Sequence, residues 1–173
     1  MKTLFLVIFS ILFTVNTYAQ DRDTIVIQKN HEFGFHAGFT TGAGFSYRYW
    51  PNNYGLQITM LPIKTEDQTF FSLGLTGLYS FYNSKRLRFF GYLGNNYIIN
   101  NYTTTVYDYW DPISGTSTHT VYSRNKSYNV GFGPGFGFGS TVRFNLMLGY
   151  GFYDIFGKLK VYPTGEIGLY FRF

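Results

Sequence analysis

Phe33-Gly34-Phe35-His36-Ala37-Gly38-Phe39 sets the terms on which the whole chain is read. Phenylalanine or alanine takes every odd position, and glycine or histidine every even one. Side chains alternate across a strand with a period of two, so this stretch is a strand with one apolar, ring-rich face and one small or polar face. The same alternation recurs downstream. Phe45, Tyr47 and Tyr49 continue it, followed by Leu56, Ile58 and Met60, and by Phe71, Leu73, Leu75, Tyr79 and Phe81. Later come Tyr128, Val130, Phe132, Phe136 and Phe138, then Phe144, Leu146, Leu148, Tyr150 and Phe152, and finally Ile167, Leu169, Phe171 and Phe173. No charge falls on this face. The opposite face holds Ser46, Arg48, Gln57, Thr59, Ser72, Thr76, Asn129, the alternating glycines from Gly131 to Gly139, Asn145, Glu166 and Arg172.

Helical spacing is absent beyond the first twenty residues, so the pattern predicts an all-β chain. Expected strands run Phe33 to Phe39, Phe45 to Trp50, Tyr54 to Ile63, Thr69 to Tyr82, Leu87 to Tyr102, Ser127 to Gly139, Arg143 to Phe152 and Thr164 to Phe173. In a soluble sandwich or barrel, the ring-rich face is the core and the other side, facing water, is rich in Lys and Glu. Here that other side is Gly, Ser, Thr and Asn with a few charges of both signs, which suits the filling of a narrow lumen. The apolar face is then the lipid face, where Lys or Arg costs about 2 to 4 kcal/mol at mid-bilayer. An open sheet edge in hydrocarbon leaves backbone groups unpaired, so the sheet must close. The expected fold is a closed, antiparallel, up-and-down transmembrane β-barrel of about eight strands.

Composition agrees with that reading. Of 173 residues, 23% are aromatic and 13% charged, with 20 glycines and no cysteine. Charged residues usually make up about 25%. Such a chain is not disordered, and lack of cysteine removes disulfides, thiolate metal sites and cysteine nucleophiles. The net charge of +5 is carried by scattered residues such as Lys29, Arg48, Lys64, Arg86, Arg124 and Lys158, and does not indicate nucleic-acid binding.

At the N-terminus, Lys2, the apolar run Leu4 to Val15 and the small-residue site around Thr17-Tyr18-Ala19 have the layout of a signal peptide over residues 1–19. Twelve apolar residues fall short of the ~20 that a membrane helix needs. Residues 20–32 read as a periplasmic lead-in and 33–173 as the barrel. With the lead-in periplasmic, the inner turns are Pro51 to Asn53, Asn83 to Arg86 and the region around Ser140 to Arg143. Outer loops are Thr40 to Gly44, Lys64 to Gln68, Thr103 to Lys126 and Tyr153 to Pro163. Two strands are irregular. Apolar residues occupy both parities of Leu87 to Tyr102, which predicts a bulge near Gly94 to Asn96, and Pro134 interrupts the sixth strand.

The chain ends Glu166-Ile167-Gly168-Leu169-Tyr170-Phe171-Arg172-Phe173. This resembles the C-terminal β-signal of bacterial outer-membrane barrels, with Glu166, Gly168, Phe171 and Phe173 at the motif positions. The resemblance implies recognition by the barrel-assembly machinery and residence in outer-membrane lipid. Over Phe33 to Phe173 the chain resembles small eight-stranded barrels of the OmpA-like, OmpX-like and opacity-type kind, and its cleavage region and Tyr/Asn-rich loops resemble secreted Bacteroidetes proteins.

Candidate chemistry is sparse. His31, His36 and His119 lack metal-ligand spacing, so neither metal nor cofactor is expected. The alternating glycines lack the spacing of a phosphate loop. His36, Arg48, Arg143, Glu166 and Arg172 are expected to share an ionic network inside the barrel, with Glu166 the sole acidic residue placed in a strand lumen. Ser46, His36 and Glu166 supply the residue types of an outer-membrane lipid A deacylase, the enzymatic alternative. Asp108 and Asp111 read as turn formers rather than an omptin-type acidic pair. A soluble lipocalin-like carrier, with the ring-rich face turned inward, is the third reading. The loop Thr103 to Lys126, with Tyr107, Tyr109, Trp110 and Tyr122, is either a surface for an external ligand or protein or a hairpin extending the barrel.

Overall fold

The computed structural model describes residues 30–111 and 115–173, leaving aside the side chains of residues 105–120. The expected signal peptide and most of the lead-in, including Ile25 to Ile27, lie outside the described residues. Eight antiparallel strands form one closed ring: β1 (His31–Gly38), β2 (Gly42–Tyr49), β3 (Tyr54–Lys64), β4 (Gln68–Asn83), β5 (Leu87–Asp111), β6 (Gly115–Phe138), β7 (Val142–Tyr153) and β8 (Lys160–Arg172). Each strand pairs with its chain neighbour, and β1 closes on β8 with Glu32 opposite Arg172 and Phe35 opposite Leu169. Short turns join the strands at the end where β1 starts and β8 stops, here the turn end. The β5–β6 hairpin rises from the other, the hairpin end.

The distribution of residues is inside out. Among the described residues, eighteen polar or charged side chains are buried, against six apolar or aromatic ones: Trp50, Leu78, Phe90, Tyr92, Met147 and Tyr170. The exposed large apolar residues include Phe33, Phe35, Phe45, Ile58, Leu75, Phe144, Leu169 and Phe171, each on the wall that alternation assigns to the outside. Near the turn end, rings on adjacent strands touch around that wall. Tyr54 meets Tyr79, Tyr79 meets Phe81, Phe81 meets Phe89 and Phe89 meets Phe136, all with centroids 5.1–5.5 Å apart.

Three features depart from the sequence expectation. β1 begins at His31, two residues before Phe33, which brings Glu32 into the strand. Register runs unbroken through Gly94 to Asn96, and the irregularity lies in β4 instead, between Ser80 and Tyr82. Both parities of β5 carry rings because Phe90 and Tyr92 point into the lumen while Phe89 and Leu93 point out. Of the two readings of Thr103 to Lys126, the structure shows the hairpin, paired up to Asp111 opposite Gly115 among the described residues. Thr40 and Thr41, expected in an outer loop, are fully buried.

Pro134 sits where expected. Pairing of β6 with β7 lapses at Gly133 and Pro134 and resumes in the same register from Gly135, so the missing N–H costs local ladder contacts but no slip.

Candidate functional site

The lumen holds two ionic centres, one at each end. At the turn end, β1 places Glu32 opposite Arg48 of β2 on one side and Arg172 of β8 on the other. Arg88 of β5 and Arg143 of β7 reach the same carboxylate across the lumen. Glu32 Oε1 accepts from Arg88 at 3.2 Å and lies 3.3 Å from Arg172 Nε and 3.8 Å from Arg143 Nη1. Its Oε2 lies 3.9 Å from Arg48 Nη1. Guanidiniums remain charged in proteins, so four of them around one carboxylate leave three positive charges.

Neighbouring groups orient these arginines. Arg48 Nε donates to Gln57 Oε1 at 2.6 Å, and its guanidinium lies 4.0 Å from the Tyr170 ring centroid. Arg88 lies 4.0 Å from the Trp50 centroid and donates to Asn83 at 3.1 Å. Arg143 Nε donates to the Gly139 carbonyl at 3.3 Å, and Arg172 donates to the Ser140 carbonyl at 3.4 Å. Cation–π contact with desolvated rings offsets part of the cost of burying a cation. Gly137 keeps the wall clear, since a Cβ there would stand 3.1 Å from Arg143 Cδ.

At the hairpin end, Glu166 is held differently. The turn joining β1 and β2 bends into the lumen, with Gly42 and Gly44 at φ of 95° and 119°, a region open to glycine but rarely to other residues. Thr40 N donates to Glu166 Oε1 at 3.0 Å, the hydroxyls of Thr40 and Thr41 donate to its two oxygens, and Thr164 adds a donor at 3.4 Å. His36 Nε2 lies 2.6 Å from Thr41 Oγ1 and 3.4 Å from Glu166 Oε2. With the Thr41 proton committed to the carboxylate, Nε2 is the donor to Thr41. Asn96 and Asn129 both donate to the Phe39 carbonyl, at 3.2 and 3.0 Å, and fix the turn from the far wall. Its bed is glycine. A Cβ on Gly74 would strike the Thr41 carbonyl, one on Gly131 the Thr40 side chain, and one on Gly94 would stand 2.6 Å from Thr41 Cγ2.

All five residues of the expected network face inward, but they form two centres rather than one. Arg48, Arg143 and Arg172 gather on Glu32 and not on Glu166, which pairs with His36 and the threonines. Sequence reasoning missed Glu32 because its strand was started at Phe33, Arg88 because the parity of β5 was ambiguous, and Thr40 and Thr41 because a turn tip is ordinarily outside. One signal was present: Glu32 has the parity of His36.

The residue types of a deacylase are buried but not assembled. Ser46 is hydrogen-bonded to Thr59 at 2.9 Å and to Tyr170 at 3.0 Å, and the base His36 is directed at Thr41 and Glu166. Of the terminal motif, Glu166 and Gly168 face the lumen, while Phe171 and Phe173 face outward.

Outside the ring, β5 and β6 stay paired beyond the end of β4, where Gln68 meets Tyr102, up to Asp111 opposite Gly115. At its base, a cleft of about 260 Å³ opens between the hairpin and the β3–β4 turn, lined by Glu66, Asp67, Tyr102, Tyr122 and Arg124 among others. Thr103 N donates to the Asp67 carbonyl at 2.9 Å and joins the two. Tyr122 is 81% exposed. The side chains of Tyr107, Tyr109 and Trp110 lie outside the described residues.

No protein-family model matches the sequence, and no curated relative matches it. Among solved structures, the chain is similar to the N-terminal β-barrel domain of Pseudomonas aeruginosa OprF, with a TM-score of 0.46 and 14% identity over 83% of this chain and 95% of that one.

Proposed function

We propose that the chain is a non-enzymatic outer-membrane β-barrel protein of a Gram-negative envelope, with a surface role exercised through the β5–β6 hairpin. The observation that carries this reading is the inverted burial, eighteen polar side chains inside against six apolar ones. Water as the outer solvent makes such a partition unfavourable by roughly 25 cal/mol for each Å² of apolar surface left exposed. Hydrocarbon removes that cost and demands the closed ring, which leaves no unpaired strand edge. The run of aromatic contacts across β3 to β6 near the turn end supports it, since interfacial girdles of aromatic residues mark the limits of the apolar band.

The signal-like N-terminus and the terminal phenylalanine motif support export and recognition by the barrel-assembly machinery, with the turn end periplasmic and the hairpin outside. Nine residues of β5, Thr103 to Asp111, continue past the last β4 pair. At ~3.3 Å per residue they span about 30 Å along the strand, enough to carry the tip well clear of the bilayer surface. The cleft beneath, with acidic Glu66 and Asp67 facing Tyr102, Tyr122 and Arg124, is the place where an external ligand or protein would dock.

Fractionation of expressing cells, followed by gel mobility of the membrane fraction with and without boiling, tests the reading. Outer-membrane material that migrates differently before and after heating is expected. Soluble material with no shift overturns it.

A further inference from the structure

We propose that the turn end of the lumen binds a small inorganic oxyanion of the phosphate class, held between Arg48 and Arg143 beside Glu32. Four arginines converge on a single carboxylate, and only one of them, Arg88, donates a hydrogen bond to it. Arg48 and Arg143 are fully buried. Nevertheless Arg48 Nη1 and both terminal nitrogens of Arg143 have no hydrogen-bond partner among the described residues. Arg48 Nη1 stands 3.9 Å and Arg143 Nη1 3.8 Å from the nearest Glu32 oxygen. Buried N–H groups of this kind are nearly always satisfied, and leaving a cationic one unpaired is costly.

The two side chains approach Glu32 from different walls, β2 and β7, so their free N–H groups converge on the same stretch of lumen. What they share is a demand for negative charge presented as oxygen. A guanidinium offers parallel N–H donors in a plane, matched to the paired oxygens of phosphate or carboxylate rather than to a single point charge. One such anion supplies acceptors to both arginines and lowers the residual charge of +3. Access is from the turn end, where Arg172 is the most exposed member of the cluster, with 13% of its side chain accessible. A free anion fits this position. A lipid headgroup phosphate would have to bring its glycerol inside the strand ring.

The test uses the full chain folded in detergent micelles without added phospholipid. Sodium phosphate is titrated against sodium methanesulfonate at constant ionic strength, with thermal unfolding and ³¹P line width as readouts. A saturable rise in melting temperature and broadening of the phosphate resonance are expected, because a ligand that binds only the folded state raises stability with its concentration. Glu32→Gln removes the competing carboxylate and should tighten phosphate binding about tenfold or more. A purely structural cluster shows no such gain. Arg143→Gln should abolish saturation while retaining the boiling-dependent mobility shift, and Arg48→Gln serves the same purpose if Arg143→Gln does not fold. Equal effects of phosphate and methanesulfonate overturn the site. Saturation by chloride but not phosphate overturns the oxyanion assignment, and stabilisation only when a short-chain phosphatidic acid is added overturns the free-anion source.

Discussion

Glu32 and Glu166 stand inside the same ring of strands, both fully buried, in opposite company. Glu166 is held by neutral donors from one turn, Thr40 and Thr41, with His36 and Thr164 alongside, and no arginine pairs with it among the described residues. Glu32 is surrounded by four arginines and is in deficit. Hydrogen bonds close one end of the lumen and charge closes the other. A carboxylate among hydroxyls is a local device, replaceable by another acceptor. A carboxylate among guanidiniums carries every arginine in reach, so its removal is felt on five strands.

That contrast can be broken at four points. Glu32→Ala should have the largest effect, about 3–5 kcal/mol, because it leaves buried cations uncompensated. Urea unfolding in micelles, followed by fluorescence of buried Trp50, measures it, and a smaller loss than for Glu166→Ala would reverse the ranking of the two centres. Gly74→Val comes next, at about 2–3 kcal/mol, since its side chain collides with the Thr41 carbonyl, which is backbone. The same substitution should push the turn out of the lumen and raise ion conductance in planar bilayers; unchanged conductance would mean that another element closes that end. Glu166→Gln preserves shape and one acceptor and should cost about 1–2 kcal/mol. Combined with Thr41→Val it should cost less than the sum of the two, as expected for partners in one network, and strict additivity would deny the coupling. Tyr122→Ala should change stability by no more than about 0.5 kcal/mol. If the hairpin cleft is the outer docking surface, that substitution lowers binding of whole cells to their surface partner, whereas unaltered binding moves the contact elsewhere.

The barrel itself was readable from alternation alone, because every second residue of eight strands follows one rule of polarity. The sites were readable only in part. Parity put His36, Arg48, Arg143, Glu166 and Arg172 on one face, but parity carries no information on height or on which wall faces which, so it could not divide them between two centres. Glu32 and Arg88 sit near strand ends, where the apolar alternation that marks a strand fades. The inward turn had no local signature. Gly74, Gly94 and Gly131, the glycines that make room for it, lie on β4, β5 and β6, far along the chain from Thr40 and Thr41.

One pairing sets an order of events. Glu32 and Arg172 face each other across the β1–β8 seam, 140 residues apart (172 − 32). Glu166 belongs to the same last strand and meets a turn that follows the first. Neither acidic centre can be completed while the seam is open, so until then both carboxylates, and the arginines that gather on Glu32, lack their full set of partners. Zipping the seam therefore gathers the scattered ions, and a chain shortened by its last strand would keep its arginines with no means of sealing them away.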